Sequence, residues 1–160
     1  IQLAALAYGV YSVTLSRPAY LVFVKDRIEV VAAGELAEED LARASAEYRS
    51  LPWFGPKQVC ADIPVEANEK TELIMSAMNG KDIQLLPRYY RNCRDGEILD
   101  SAHSKEQWLT KPQLRNQSLP QELQNDQFVW LPVVSRFGVW TIFYVNSDVD
   151  SPLYLSVDSL

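Results

Sequence analysis

The chain is poor in the side chains that carry most protein chemistry. It has one histidine, two cysteines and 15 basic residues against 21 acidic ones. With His103 alone, and with no cysteine at metal spacing beside it, a histidine-based zinc site is not expected. Cys60 and Cys93 match neither a zinc nor a thioredoxin pattern. The formal net charge is −6 and no run of basic residues exceeds two. That argues against a nucleic-acid partner, which needs clustered Lys and Arg. There is no G-x-G-x-x-G and no P-loop, so no nucleotide is expected. A calcium loop would need more oxygen ligands at regular spacing. No cofactor is therefore expected.

Long apolar runs are scarce too. The opening IQLAALAYGVYSVTL is apolar apart from Gln2, Ser12 and Thr14, but shorter than the roughly 20 residues of a membrane span. It lacks the basic start and A-x-A-like site of a signal peptide. Beginning at Ile1 rather than Met, the chain is expected to be a processed or shortened form. Two readings stand for this segment: a helix packed on the core, or the tail of a transmembrane helix, with Tyr8 and Tyr11 suited to an interfacial belt.

What is present is ordinary globular material. The chain is 48% hydrophobic and 22% charged over 160 residues, which suits one domain with a core. Residues 20–24 (YLVFV) are aromatic or branched throughout and read as a strand covered on both faces. Ile28, Val30 and Val31 follow a short charged turn, so a hairpin is expected. A helix is expected from about residue 37 to 49. A second helix lies within 66–79, with Leu73, Ile74, Ala77 and Met78 as its apolar stripe and Gly80 as its stop. A third is expected within 95–111, ending before Pro112, and a short turn begins at Ser118-Leu119-Pro120. Two strands, at about 127–135 and 138–145, are expected to be apolar on both faces, with a last strand near 151–159. Strands at both ends and helices between them imply α+β: an antiparallel sheet built from the N-terminal hairpin and the C-terminal strands, with the helices packed on one face.

Catalytic signals are thin. A serine or cysteine paired in space with His103 lacks any local motif. Glu38, Glu39 and Asp40 cluster where a helix N-terminus explains them, and Asp148 and Asp150 fall in a polar turn. The aromatics say more. Trp53-Phe54 sits in a loop punctuated by Pro52, Gly55 and Pro56. Either it is an exposed anchor for a protein partner, or the loop tucks the pair back onto the sheet. Tyr89-Tyr90, between Pro87 and Arg91, carries the same two readings. Cys60 and Cys93 are either a pair, closing a loop for roughly 4 kcal/mol on the chain-entropy model, or two buried thiols.

Three segments together, LAALAYGVYSVTLSRPAYLVFVKDRIEVV, LPWFGP and AMNGKDIQLLPRYY, resemble the type IV pilin accessory proteins of the TfpX/TfpZ family. The resemblance covers the chain to about residue 90, and the late strands only loosely. It implies that residues 1–16 end a transmembrane or juxtamembrane helix, that 17–160 form a single periplasmic α+β domain, and that the protein resides in the bacterial inner membrane. In that oxidising compartment Cys60 and Cys93 are expected to pair. The partners implied are the major type IV pilin, other pilus assembly proteins, and the membrane through N-terminal helices. No catalytic residue belongs to the family pattern. The resulting expectation is a non-enzymatic, chaperone-like factor with Trp53, Phe54, Tyr89 and Tyr90 as partner-binding residues. The alternative is an extracytoplasmic ligand-sensing domain, which would need a closed pocket lined by aromatics. A hydrolase or transferase using His103 would need a cleft of strongly perturbed titratable groups.

Overall fold

The residues after Arg17 turn from helix to strand because Pro18 pushes its predecessor out of the α region. A computed structural model describes residues 2–115, 119–146, 148 and 151–156, and these form an α+β structure with a mixed sheet. It divides into two compact units, Ile1–Val24 with Glu29–Cys93, and Lys25–Ile28 with Arg94–Leu160. Ile1, Ser118 and Asp150 lie outside the described residues, as does the far end of the expected last strand.

The first unit begins with helix α1 (Gln2–Ser16), followed by strands β1 (Pro18–Val24) and β2 (Arg27–Ala32). Lys25, with φ of 56°, makes the tight turn between them. The hairpin thus lies where the apolar runs put it. Helix α2 (Glu38–Ala42), strand β3 (Lys57–Ala61), helix α3 (Ala67–Met78) and the short strand β4 (Tyr90–Arg91) complete the unit. The strand order is β4-β3-β1-β2.

Two expectations need correction here. The sheet is not antiparallel throughout: β1 and β3 are parallel, with Tyr20 opposite Lys57 and Phe23 opposite Cys60. The stretch from Ala33 to Pro56 is long enough for the crossover that parallel neighbours require. The helix expected over 37–49 stops at Ala42. Tertiary contacts override propensity here. Tyr48 N–H closes a tight turn onto Ser45 O at 2.9 Å, and the Arg49 guanidinium takes Ala44 O at 3.0 Å. Both interactions serve a Tyr48 ring sunk in the core.

That core is organised by three tyrosines. Tyr20, Tyr48 and Tyr90 meet edge to face, with ring centroids 5.2 to 6.4 Å apart. Each hydroxyl donates outward from the cluster: Tyr20 to Ser50 O, Tyr48 to Asn92 Oδ1, and Tyr90 to Gln84 O. Buried phenols therefore have their polar ends satisfied. Val22, Val31, Val59, Ala44 and Ile83 fill around them.

Helix α3 ends as its sequence predicts. Gly80 takes φ of 82°, Gly80 N–H bonds Ala77 O, and Lys81 N–H bonds Ser76 O, both at 2.9 Å. This is a Schellman stop. Its apolar stripe is mostly exposed. Leu73 alone turns partly inward, while Ile74, Ala77 and Met78 are exposed. The helix packs through a narrower face than its four-residue stripe suggests.

The second unit contains helix α4 (Glu97–Asp100), strand β5 (His103–Ser104), and helices α5 (Lys105–Thr110), α6 (Pro112–Arg115) and α7 (Gln121–Asn125). Strands β6 (Phe128–Ser135), β7 (Gly138–Val145) and β8 (Leu153–Leu155) follow. Strands β6, β7 and β8 pair antiparallel in sequence, and β5 lies along β6. The single helix expected over 95–111 is two helices split by β5. Ser104 starts the second: its hydroxyl caps Gln107 N–H while the Gln107 side chain returns to Ser104 N–H. This reciprocal capping box sets a helix start in the middle of a helical pattern. The unit's core is Trp108, Trp130, Phe128 and Phe143, with Leu114 and Leu123. Trp108 meets Trp130 at 5.2 Å and Phe143 at 5.0 Å, both edge to face.

Candidate functional site

The 52–56 loop is built to hold two aromatics away from the fold. Pro52 and Pro56 limit the backbone, and Gly55 turns it at φ of 58°, a region that favours glycine. Trp53 is 84% exposed and Phe54 96%. The pair is therefore not tucked onto the sheet. Arg17 fixes the base of the loop: its guanidinium donates to Pro52 O at 2.5 Å. That arginine directly follows α1, so loop and helix end are tied together.

Tyr89 and Tyr90 behave differently. Tyr90 is 5% exposed and belongs to the tyrosine core, which corrects its expected role as a partner contact. A buried ring cannot anchor a partner without unpacking its own unit. Burial pushes its hydroxyl well above the ordinary tyrosine range. Tyr89 is half-buried, with the Arg88 guanidinium over its ring at 4.8 Å.

Cys60 on β3 and Cys93 just past β4 form a disulfide, with Cα atoms 5.0 Å apart. Antiparallel pairing of Cys60 with Arg91 brings the two into range. A thiol nucleophile is thereby removed from this form of the chain. His103 lies on β5 and stacks against Trp130 at 4.6 Å. Among the described residues, no group of three or more His, Cys, Asp or Glu could hold a metal ion.

A cleft of about 430 Å³ opens beside α2 and α3. Glu39, Asp40, Arg43, Glu72, Lys81 and Arg88 line it, and no aromatic does. Its charges are largely spent on each other. Lys81 Nζ reaches Glu39 at 2.8 Å and Asp40 at 2.9 Å, and Arg88 reaches Glu72 at 3.3 Å. The Lys81 bond holds the Glu39 carboxyl below its usual range, and the two carboxylates raise Lys81. This is a structural ion network around the half-turn after α3, not the aromatic pocket that ligand sensing would need.

Helix α3 adds a second exposed apolar surface. Ile74, Met75 and Met78 lie exposed on neighbouring positions of α3. Both methionines of the chain are in this patch. Their helical spacing was visible; which side of the stripe the core would take was not.

The outer face of α1 is apolar as well. None of its residues is buried, and it carries no charged residue in its first or last turn. This overturns the reading in which the helix packs on the core. No helix among the described residues is long and apolar enough to cross a membrane.

No family model matches the chain, and no solved structure matches it. Two curated proteins of Dichelobacter nodosus are similar. The fimbrial assembly protein of serogroup I is 37% identical over 87 residues, and that of serogroup E1 is 34% identical over 87 residues. Each alignment covers 54% of this chain and 34% of the relative, so the match spans about a third of the length of those proteins.

Proposed function

We infer that this chain is part of a non-enzymatic accessory factor for type IV pilus biogenesis, of the TfpX/TfpZ kind, which acts on pilin from the periplasmic side of the bacterial inner membrane. The observation that carries the reading is the similarity to two fimbrial assembly proteins over half the chain. The disulfide fits an oxidising compartment. An uncovered apolar helix face fits a factor that holds another protein's apolar segment. On α3 that face is Ile74, Met75 and Met78, and two flexible thioethers suit a surface that must adapt to a partner.

Calorimetry of the full chain with the head domain of the major pilin from the same organism tests this, with an unrelated pilin as control. Saturable, pilin-selective binding is the expected result. Ile74→Glu with Met78→Glu should weaken it at least tenfold while the melting temperature stays put, because both side chains are already exposed. No binding by the unaltered chain would count against the accessory reading.

A further inference from the structure

Helix α1 poses a solvation problem. Fifteen residues, Gln2–Ser16, form a helix of about 22 Å. Leu3, Leu6, Tyr8, Val10, Tyr11 and Val13 are all largely exposed. A helix that is apolar all round is normally buried, in a core or in lipid. Two of its polar side chains bond back to the helix's own backbone. Thr14 donates to Val10 O at 2.8 Å and Ser16 to Ser12 O at 2.7 Å, so both hydroxyls are satisfied within the helix.

The end of α1 is firmly held. Leu15 lies so close to Gly34 that a Cβ there would meet it at 3.2 Å. Ala33 N–H donates to Arg17 O at 3.0 Å. The Arg17 side chain then reaches Pro52 O. The Trp53-Phe54 tip therefore lies within one arginine side chain of the place where the apolar helix stops. The polar layer on each face of a bilayer is only about 5–8 Å thick. Tryptophan beside arginine is the pairing found at that depth, with the ring among headgroups and the cation at the phosphates.

We propose that the Trp53-Phe54 loop is a membrane-interface anchor that seats in the headgroup layer beside the exit of α1, and so sets the depth and tilt of the unit on the lipid surface. This rests on the reading that α1 is embedded in lipid. It assigns the loop to lipid rather than to pilin. The exposed aromatics are then covered by the surface that covers α1. The two prolines and Gly55 present the pair pre-formed, so little ordering entropy is lost on insertion.

The test uses the full chain, with its disulfide, in vesicles of phosphatidylethanolamine and phosphatidylglycerol. Flotation reads α1. Tryptophan quenching by lipids brominated at shallow or deep acyl positions reads the loop, with Trp53→Tyr supplying the signal to subtract for the other three tryptophans. The expected result is flotation of both proteins. The Trp53 emission should also shift to shorter wavelength and lose most of its intensity to shallow bromines, and much less to deep ones. Flotation with unquenched Trp53 overturns the anchor while leaving α1 in lipid. Absence of flotation overturns both. A Trp53 shift on adding pilin head domain, with none on adding lipid, overturns the anchor in favour of a pilin contact.

Discussion

The two units solve the same problem, a small core, by different means. The first packs three tyrosines whose hydroxyls must each find an acceptor, and joins β3 to the segment after β4 with a disulfide. Its β1–β3 pair is parallel and joins residues about 37 positions apart. The second packs tryptophan and phenylalanine, and its β6–β7 hairpin pairs Phe128 with Val145 through Ser135 with Gly138. Local pairing needs little loop closure, whereas distant pairing must first overcome chain entropy. The lesson is that the cross-link stands in the unit whose contacts are remote in sequence, where reducing the unfolded chain's freedom matters most.

The largest expected effect probes the second unit. Trp130 is fully buried, packs on Trp108, and donates Nε1–H to Ser104 O at 3.0 Å. Trp130→Ala should cost about 3–5 kcal/mol in urea unfolding. It should do so equally with and without reductant. A small loss would mean that this core is not held by its aromatics.

Next comes the covalent half of the comparison. Removing the cross-link by Cys60→Ala with Cys93→Ala opens a loop with a sequence separation of 33. The expected loss is about 3–4 kcal/mol. The change should appear in tyrosine near-UV dichroism, which reports the first unit's ring cluster. An unchanged urea midpoint would erase the contrast between the units.

Alkaline pH sharpens the contrast further. Burial raises the pKa of Tyr20, Tyr48 and Tyr90 above the ordinary value of 10, and Tyr144 of the second unit is pushed up to about 12. The folded state therefore keeps protons that the unfolded chain releases. The stability this gives is fully present below pH 10 and is lost as pH rises through the raised folded values. Urea midpoints should fall as pH rises from about 10 through 12, and Tyr90→Phe should flatten that fall. At neutral pH the same substitution should cost only about 1 kcal/mol, the net value of one buried hydrogen bond.

The smallest expected effect is at the loop. Trp53→Ala should change stability by no more than about 0.5 kcal/mol, since the side chain touches little of its own fold. A larger loss, read by thermal unfolding, would show that the loop supports the first unit rather than a surface outside it.

Much of the secondary structure was legible because its signals are local. The strands at 18–24, 128–135 and 138–145 follow from runs rich in branched and aromatic residues, and the end of α3 follows from Gly80. The helices around Ala42 and His103 end sooner than their pattern predicts, for one reason. Their periodic pattern continues past points where distant contacts end the helix: the Tyr48 ring in the tyrosine core, and β5 along β6. The aromatic loop was legible as an unusual pair between prolines, yet its exposure was not, because an identical string would serve if the loop folded inward. Tyr90, one residue from the half-buried Tyr89, went to the core for want of any local signal that separates the two.

By itself the sequence determined the class, α+β, the places of the main strands, the absence of a catalytic or nucleotide motif, and a resemblance that points to pilus biogenesis. Those rest on short-range periodicity, turn chemistry and composition, which need no knowledge of neighbours. Only the tertiary structure decided that β1 pairs parallel with β3, that Cys60 meets Cys93, that α3 turns Ile74 and Met78 outward, and that Arg17 binds the Trp53 loop to the end of α1. Each of these depends on which distant segment arrives at a given face. Apolar burial is non-directional, so the pattern that marks a residue as apolar does not say what will cover it.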